Sequence, residues 1–228
     1  MSLEPPTDAH PAAGSRVPSL RIAFVPGVTI RKWTTRWDER HPDVPFEVIP
    51  VAEAEGVEAL RSGRATVSFV RLPVDREGLS VIRLYGEIPV LVVPRDSDLA
   101  GKESIDAGEV DGLAGVASYE DVASAKDAVA LVAAGVGALR LPHSIARLNA
   151  RKDVVAIPID GAPESEIAIC WIADAATEVI EEFVGIVRGR TAASSRATPT
   201  PPKERPKRAA SPAASKSRRP ARRRRQGR

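Results

Sequence analysis

The chain has one cysteine, one methionine and three histidines among 228 residues, and aromatic residues make up only 4%. A lone Cys170 excludes an intrachain disulfide and any zinc site built on two cysteines of one chain. His10, His41 and His143 are far apart, so with Cys170 they offer neither metal-ligand spacing nor a nucleophile beside its base. Cys170 is expected in the core rather than in catalysis. No phosphate-binding glycine loop is found. The expectations are no metal, no cofactor and no catalytic residue. No apolar run approaches the roughly 18 residues of a membrane span. The first nineteen residues lack the apolar stretch of a secretory signal, so a cytoplasmic protein without a membrane partner is expected.

What the chain does have is charge, unevenly placed. From Arg188 to Arg228 there are 15 basic residues and one acid, Glu204. That leaves 18 of the 33 basic and 29 of the 30 acidic residues before position 188, a balance of −11 on the body against +14 on the tail. The tail pattern is Ala, Ser, Thr, Pro, Lys and Arg, too poor in apolar groups to offset the entropy of ordering. Residues 191–228 are therefore expected to be disordered, as are residues 1–19. Lys203, Arg205, Lys207, Arg208, Lys216, Arg218, Arg219, Arg222, Arg223, Arg224 and Arg225 are the candidate nucleic-acid contacts. Polycations bind DNA or RNA backbones by counterion release, non-specifically and with steep salt dependence. The alternative is a solvated tail with no dedicated partner.

Between these ends the hydropathy pattern alternates strands and helices. Leu20–Val25 predicts a strand stopped by Pro26-Gly27, then a helix capped by Thr29 with Ile30, Trp33 and Trp37 on one face, ending before Pro42. Strands are expected at 46–51 and 66–72, with one helix over 53–62 closed by Gly63. The β-α-β-α-β order predicts a parallel sheet covered by helices. Residues 80–84 and 88–94 follow as strands, the second almost continuously apolar, as buried parallel strands are. A strand at 113–117, a helix at 121–134, a strand at 137–141 and a helix opened by Pro142, with Ile145 and Leu148 inward, come next. Strands at 154–159 and 166–172 precede a last helix, capped by Asp174 and burying Val179, Ile180, Phe183 and Val187.

Several blocks are familiar in this order: Leu20–Gly27, Trp37–Asp43, Leu60–Ala65, Leu84–Ala100 and Leu131–Pro142. Together they resemble the effector-binding domain of LysR-type transcriptional regulators over about residues 20–190. The resemblance implies a type 2 periplasmic-binding-protein-like α/β fold: two lobes, two crossover strands and a small-molecule cleft between them. Lobe I would be residues 20–88 and 165–189, and lobe II residues 89–164. The stretch from Leu99 to Val132 is shorter than the family's, so lobe II is expected to lack part of its sheet. The winged helix-turn-helix and linker helix that open such regulators are not found ahead of Leu20, which suggests a stand-alone domain.

By this resemblance the turn Pro26, Gly27 and Thr29 faces a small anionic effector. Thr29 is otherwise a plain helix cap. Arg71 is either an effector contact, through its planar fork, or a surface arginine answering Asp75. Ser118 and Gly137 would face the cleft from lobe II. Trp33 and Trp37 fit the core better than a stacking platform. The implied protein senses a small molecule, pairs as a homodimer and touches nucleic acid through its tail. The alternative is an interaction scaffold with a degenerate cleft.

Overall fold

The computed structural model describes residues 19–189. The expectations for residues 1–18 and for the basic tail from 190 onward lie outside the described residues. Strands β1 (Leu20–Phe24), β2 (Phe46–Pro50), β3 (Val67–Leu72), β4 (Leu79–Glu87) and β10 (Ser165–Ile172) form one sheet, in the order β2-β1-β3-β10-β4. A second sheet has the order β6-β9-β5-β8-β7, from β5 (Pro89–Pro94), β6 (Ile105–Asp106), β7 (Val116–Ser118), β8 (Ala138–Pro142) and β9 (Val154–Asp160). Helices α1 (Arg31–Arg40), α2 (Glu58–Arg61) and α6 (Glu178–Val187) belong to the first lobe. The second holds α3 (Ala107–Asp111), α4 (Ala125–Ala133) and α5 (His143–Leu148).

The β-α-β-α-β unit is parallel as expected, but neither sheet is wholly parallel, and β5, expected as a parallel strand, is antiparallel to both its neighbours. β1 runs parallel to β2 and β3, but β10 is antiparallel to both β3 and β4. In lobe II, β5 is antiparallel to β8 and β9, while β6 follows β9 and β7 follows β8. One rule covers both lobes. The parallel strands end at the cleft, so a strand arriving from the other lobe starts at the cleft edge and runs the opposite way. β5 enters lobe II in this manner and β10 re-enters lobe I. The apolar run of β5 reports burial on both faces, not direction: Val90 and Val92 join one core cluster, Leu91 and Val93 the other.

Lobe II has five strands, as lobe I does, so the expected loss of part of its sheet is not seen. The helix expected over 53–62 is broken into a 3-10 turn (Glu53–Glu55) and the single-turn α2. Gly56 lies between them, where an added Cβ would come within 2.8 Å of Val70 Cγ1 on the sheet. The lobe I core is built on this close approach and on aromatic packing. Trp33 stacks on Phe69 with centroids 4.8 Å apart, and Trp37 meets Phe183 of α6 edge-on at 5.8 Å. Both tryptophans are buried. α6 is capped by Thr177, whose hydroxyl accepts from the Ile180 N–H, and not by Asp174, which sits in a preceding 3-10 turn. Leu148, expected inward, is 64% exposed at the end of α5.

Candidate functional site

The ends of the parallel strands bring β-to-α turns from both lobes face to face, the place where open α/β sheets take ligands. Pro26-Gly27-Val28-Thr29 follows β1, and His143 and Ser144 follow β8. They touch: Gly27 has φ +82, and a Cβ there would overlap the Ser144 hydroxyl. Only glycine serves at this position, for backbone conformation and space alike.

Thr29 is not the helix cap. α1 begins after Ile30 with no side-chain cap, and Thr29 is exposed. Its hydroxyl lines a cavity of about 410 Å³ between the lobes, with Gly27, Lys32, Tyr85, His143 and Arg147. The Lys32 ammonium lies 4.3 Å from the Trp33 ring centroid, a cation–π contact that orients it. Lys32 and Arg147 form no salt bridge among the described residues. A second cavity of about 370 Å³ shares Gly27, Thr29, Ser144 and Arg147, and is walled by Phe24, Pro26, Val51 and Leu148. The exposed Leu148 is thus part of an apolar wall at the cleft.

Arg71 ends in the cleft and is 6% exposed, not on the surface. Asp75 pairs with Arg61 instead. The Arg71 guanidinium donates from Nη1 to Glu53 at 2.8 Å and from Nη2 to Glu87 at 2.9 Å, with Nε also directed at Glu87. Nη2 further lies 3.3 Å from the Ser144 hydroxyl and 3.5 Å from the Pro26 carbonyl oxygen. Burial opposes the charge, but the field of Glu53 and the bond to Glu87 more than offset it and raise the Arg71 pKa. Tyr119, in the turn after β7, donates to Glu53 at 2.6 Å. Its phenol pKa is pushed up by burial first and by Glu53 second, so it stays a donor.

The remaining predicted residues are placed elsewhere. Ser118 ends β7 and lines a separate cavity of about 250 Å³ with Arg140, Pro163 and Ser165. Gly137 precedes β8 at its far end, against Gly115, with φ +66. The five-residue β8 therefore separates it from the cleft by about 16 Å, at roughly 3.3 Å per residue. The residues missed from sequence are Lys32, Glu53, Glu87, Tyr119, Ser144 and Arg147. Ser144 and Arg147 had one usable signal, their place one turn into a helix opened by a strand-ending proline. The acids had none. Cys170 is buried in β10 and its thiol bonds to the Ser68 carbonyl, with burial pushing its pKa up to about 12. Among the described residues no group of His, Cys, Asp and Glu could hold a metal, and no helix is long and apolar enough to cross a membrane.

Two α/β lobes linked by crossing strands around a lined cleft define a type 2 periplasmic-binding-protein-like fold. Residues 13–117 match the family model described as the LysR substrate binding domain. It is 26% identical to the Hca operon transcriptional activator HcaR of Escherichia coli K12, over 76% of this chain and 68% of that protein. It is also 26% identical to a probable hydrogen peroxide-inducible genes activator of Streptomyces viridosporus, over 66% of this chain and 57% of the relative. Among solved structures, the BenM effector binding domain with its effector benzoate superposes with a TM-score of 0.64 at 17% identity, covering 79% of this chain and 95% of that one. A cysteine mutant of Corynebacterium glutamicum OxyR gives 0.62 at 19%, over 74% of this chain and 63% of that one. These structural likenesses show the fold. The curated relatives are transcriptional regulators, not enzymes.

Proposed function

We propose that this domain senses a small carboxylate with an apolar body, bound between the lobes. The observation that carries it is the sharing of Gly27, Thr29, Ser144 and Arg147 by two adjoining cavities, one lined by Lys32 and by Glu87, whose charge Arg71 balances, the other walled mainly by apolar side chains. Lys32, Arg147 and the Thr29 hydroxyl suit an acid group, helped by the uncapped start of α1. Phe24, Val51 and Leu148 suit a ring or branched chain. Pro26 and Gly27 shape the turn, whereas Arg71, Ser118 and Gly137 are not among the contacts of this ligand. Cys170 gives no support to peroxide sensing, because a buried thiol with a raised pKa offers almost no thiolate.

Thermal shift and calorimetry with aromatic and branched acids, each beside its uncharged amide, test this reading. The acid should bind and raise the melting temperature while the amide does not. Arg147→Met or Lys32→Met should weaken the acid by about tenfold or more, the loss of one charged hydrogen bond. An acid that does no better than its amide sinks the reading and leaves the interaction scaffold. The same proposal gives the basic tail a non-specific contact with nucleic acid, supported by its +14 charge alone.

A further inference from the structure

One carboxylate oxygen is shared across the cleft. Glu53 Oε2 lies 2.8 Å from Arg71 Nη1 and 2.6 Å from the Tyr119 hydroxyl. Arg71 belongs to lobe I and Tyr119 to lobe II, so the oxygen accepts from both sides. A bound small carboxylate would be held in the same way, but here the carboxylate is the chain's own.

The two acids on Arg71 differ in standing. Glu87 has a side chain 7% exposed and is fixed at the end of β4. Glu53 has a side chain 32% exposed and stands on a 3-10 turn. Glu87 alone balances the guanidinium. Glu53 is therefore a second carboxylate on one guanidinium. A second carboxylate persists in such a place only when hydrogen bonds offset its desolvation, and Arg71 and Tyr119 both donate to it. All three nitrogens of the Arg71 fork are engaged in this arrangement, with bonds to Glu53, Glu87 and Ser144.

We infer that Glu53 is a resident carboxylate of the cleft, a specificity-determining residue that fills the anion position between Arg71 and Tyr119. An effector's acid group is thereby kept out of that position and directed to Lys32 and Arg147. This rests on the cleft being the effector site proposed above. Closure of the lobes at Arg71 and Tyr119 then needs no ligand, because the chain supplies the bridging oxygen itself.

Glu53→Ala in the full chain, probed with formate and acetate in thermal denaturation, tests the inference. Truncation leaves a carboxylate-sized gap beside two unsatisfied donors. The variant should gain several degrees with acetate over sodium chloride at equal ionic strength, in a saturating manner. Wild type should gain clearly less, as should Glu53→Gln, whose amide fills the gap. Equal acetate responses in wild type and Glu53→Ala overturn the inference, however the Lys32–Arg147 site behaves. A rescue of Glu53→Ala with no binding of larger acids at Lys32 and Arg147 upholds the resident carboxylate and removes the effector reading. If Glu53→Ala does not fold, hydrogen exchange in Glu53→Gln decides. Amides of the 119–122 turn should then exchange several-fold faster than in wild type, and unchanged exchange there overturns the inference.

Discussion

Gly27 of lobe I and Ser144 of lobe II meet with no room for a side chain between them, so the lobes touch where an effector would enter. Gly27→Ala should cost about 1–2 kcal/mol from the left-handed backbone alone. Displacement of Ser144 adds to that. Pairing it with Ser144→Gly should recover the steric part and leave the backbone part. Urea denaturation of the single and double variants reads both, and equal losses in the two would mean that the lobes do not press together here.

Arg71 and Asp75 are four residues apart, yet their removal should have opposite weight. Arg71→Ala leaves Glu87 buried without its cation, a loss of about 3–5 kcal/mol for a broken buried pair. Asp75→Ala releases only an exposed contact with Arg61 and should leave the unfolding midpoint almost unchanged. A large effect at Asp75 would restore the surface pairing with Arg71 that the sequence first suggested.

The buried thiol sets an alkaline limit. With a folded pKa near 12 against 9.0 for a free thiol, the native state holds the proton more tightly than the unfolded state. Stability from this group is complete below pH 9 and is lost as pH rises from 9 towards 12. The slope approaches about 1.4 kcal/mol per pH unit. Cys170→Ala should flatten the fall in stability between pH 9 and 10.5 by up to that amount. In the native protein at pH 8, a thiol reagent should label Cys170 only on the timescale of unfolding.

Deletion of residues 190–228 should leave the melting temperature unchanged, since the last core helix α6 ends at Val187 and Gly189 closes it with φ +81. The same deletion should abolish retention of DNA in a gel shift at low salt. The intact chain should lose retention steeply as salt rises. Equal retention of the shortened chain would remove the nucleic-acid role from the tail.

Much of the fold was legible because each helix or strand carries its own period. Trp33 and Trp37, four residues apart, pointed to the buried face of α1, and the break at Gly63 fell where φ is +71. Strand direction was not legible: β5 is apolar on both faces, and hydropathy does not record which way a doubly covered strand runs. The cleft was legible only in part. The Pro26–Thr29 turn could be placed from its strand-to-helix context. The pairing of Glu53 with Tyr119, 66 residues away, depends on how two lobes close, and no local pattern encodes that. Thr29 and Asp174 looked like caps by residue type, but the helices began one or more residues later, after Ile30 and Thr177.

The re-entry of β10 into lobe I sets an order on biosynthesis. Strands β5 to β9 are contiguous, so lobe II can close as soon as it has left the ribosome. Lobe I has four of its five strands early but lacks β10, which lies between β3 and β4 and sets Cys170 against Ser68 across 102 residues. Until β10 and α6 emerge, β3 and β4 each expose the edge that β10 will cover, the part of the chain most open to wrong pairing. Helix α6 is therefore the keystone of the first lobe, and translation must reach the threshold of the basic tail before the amino-terminal half can finish folding.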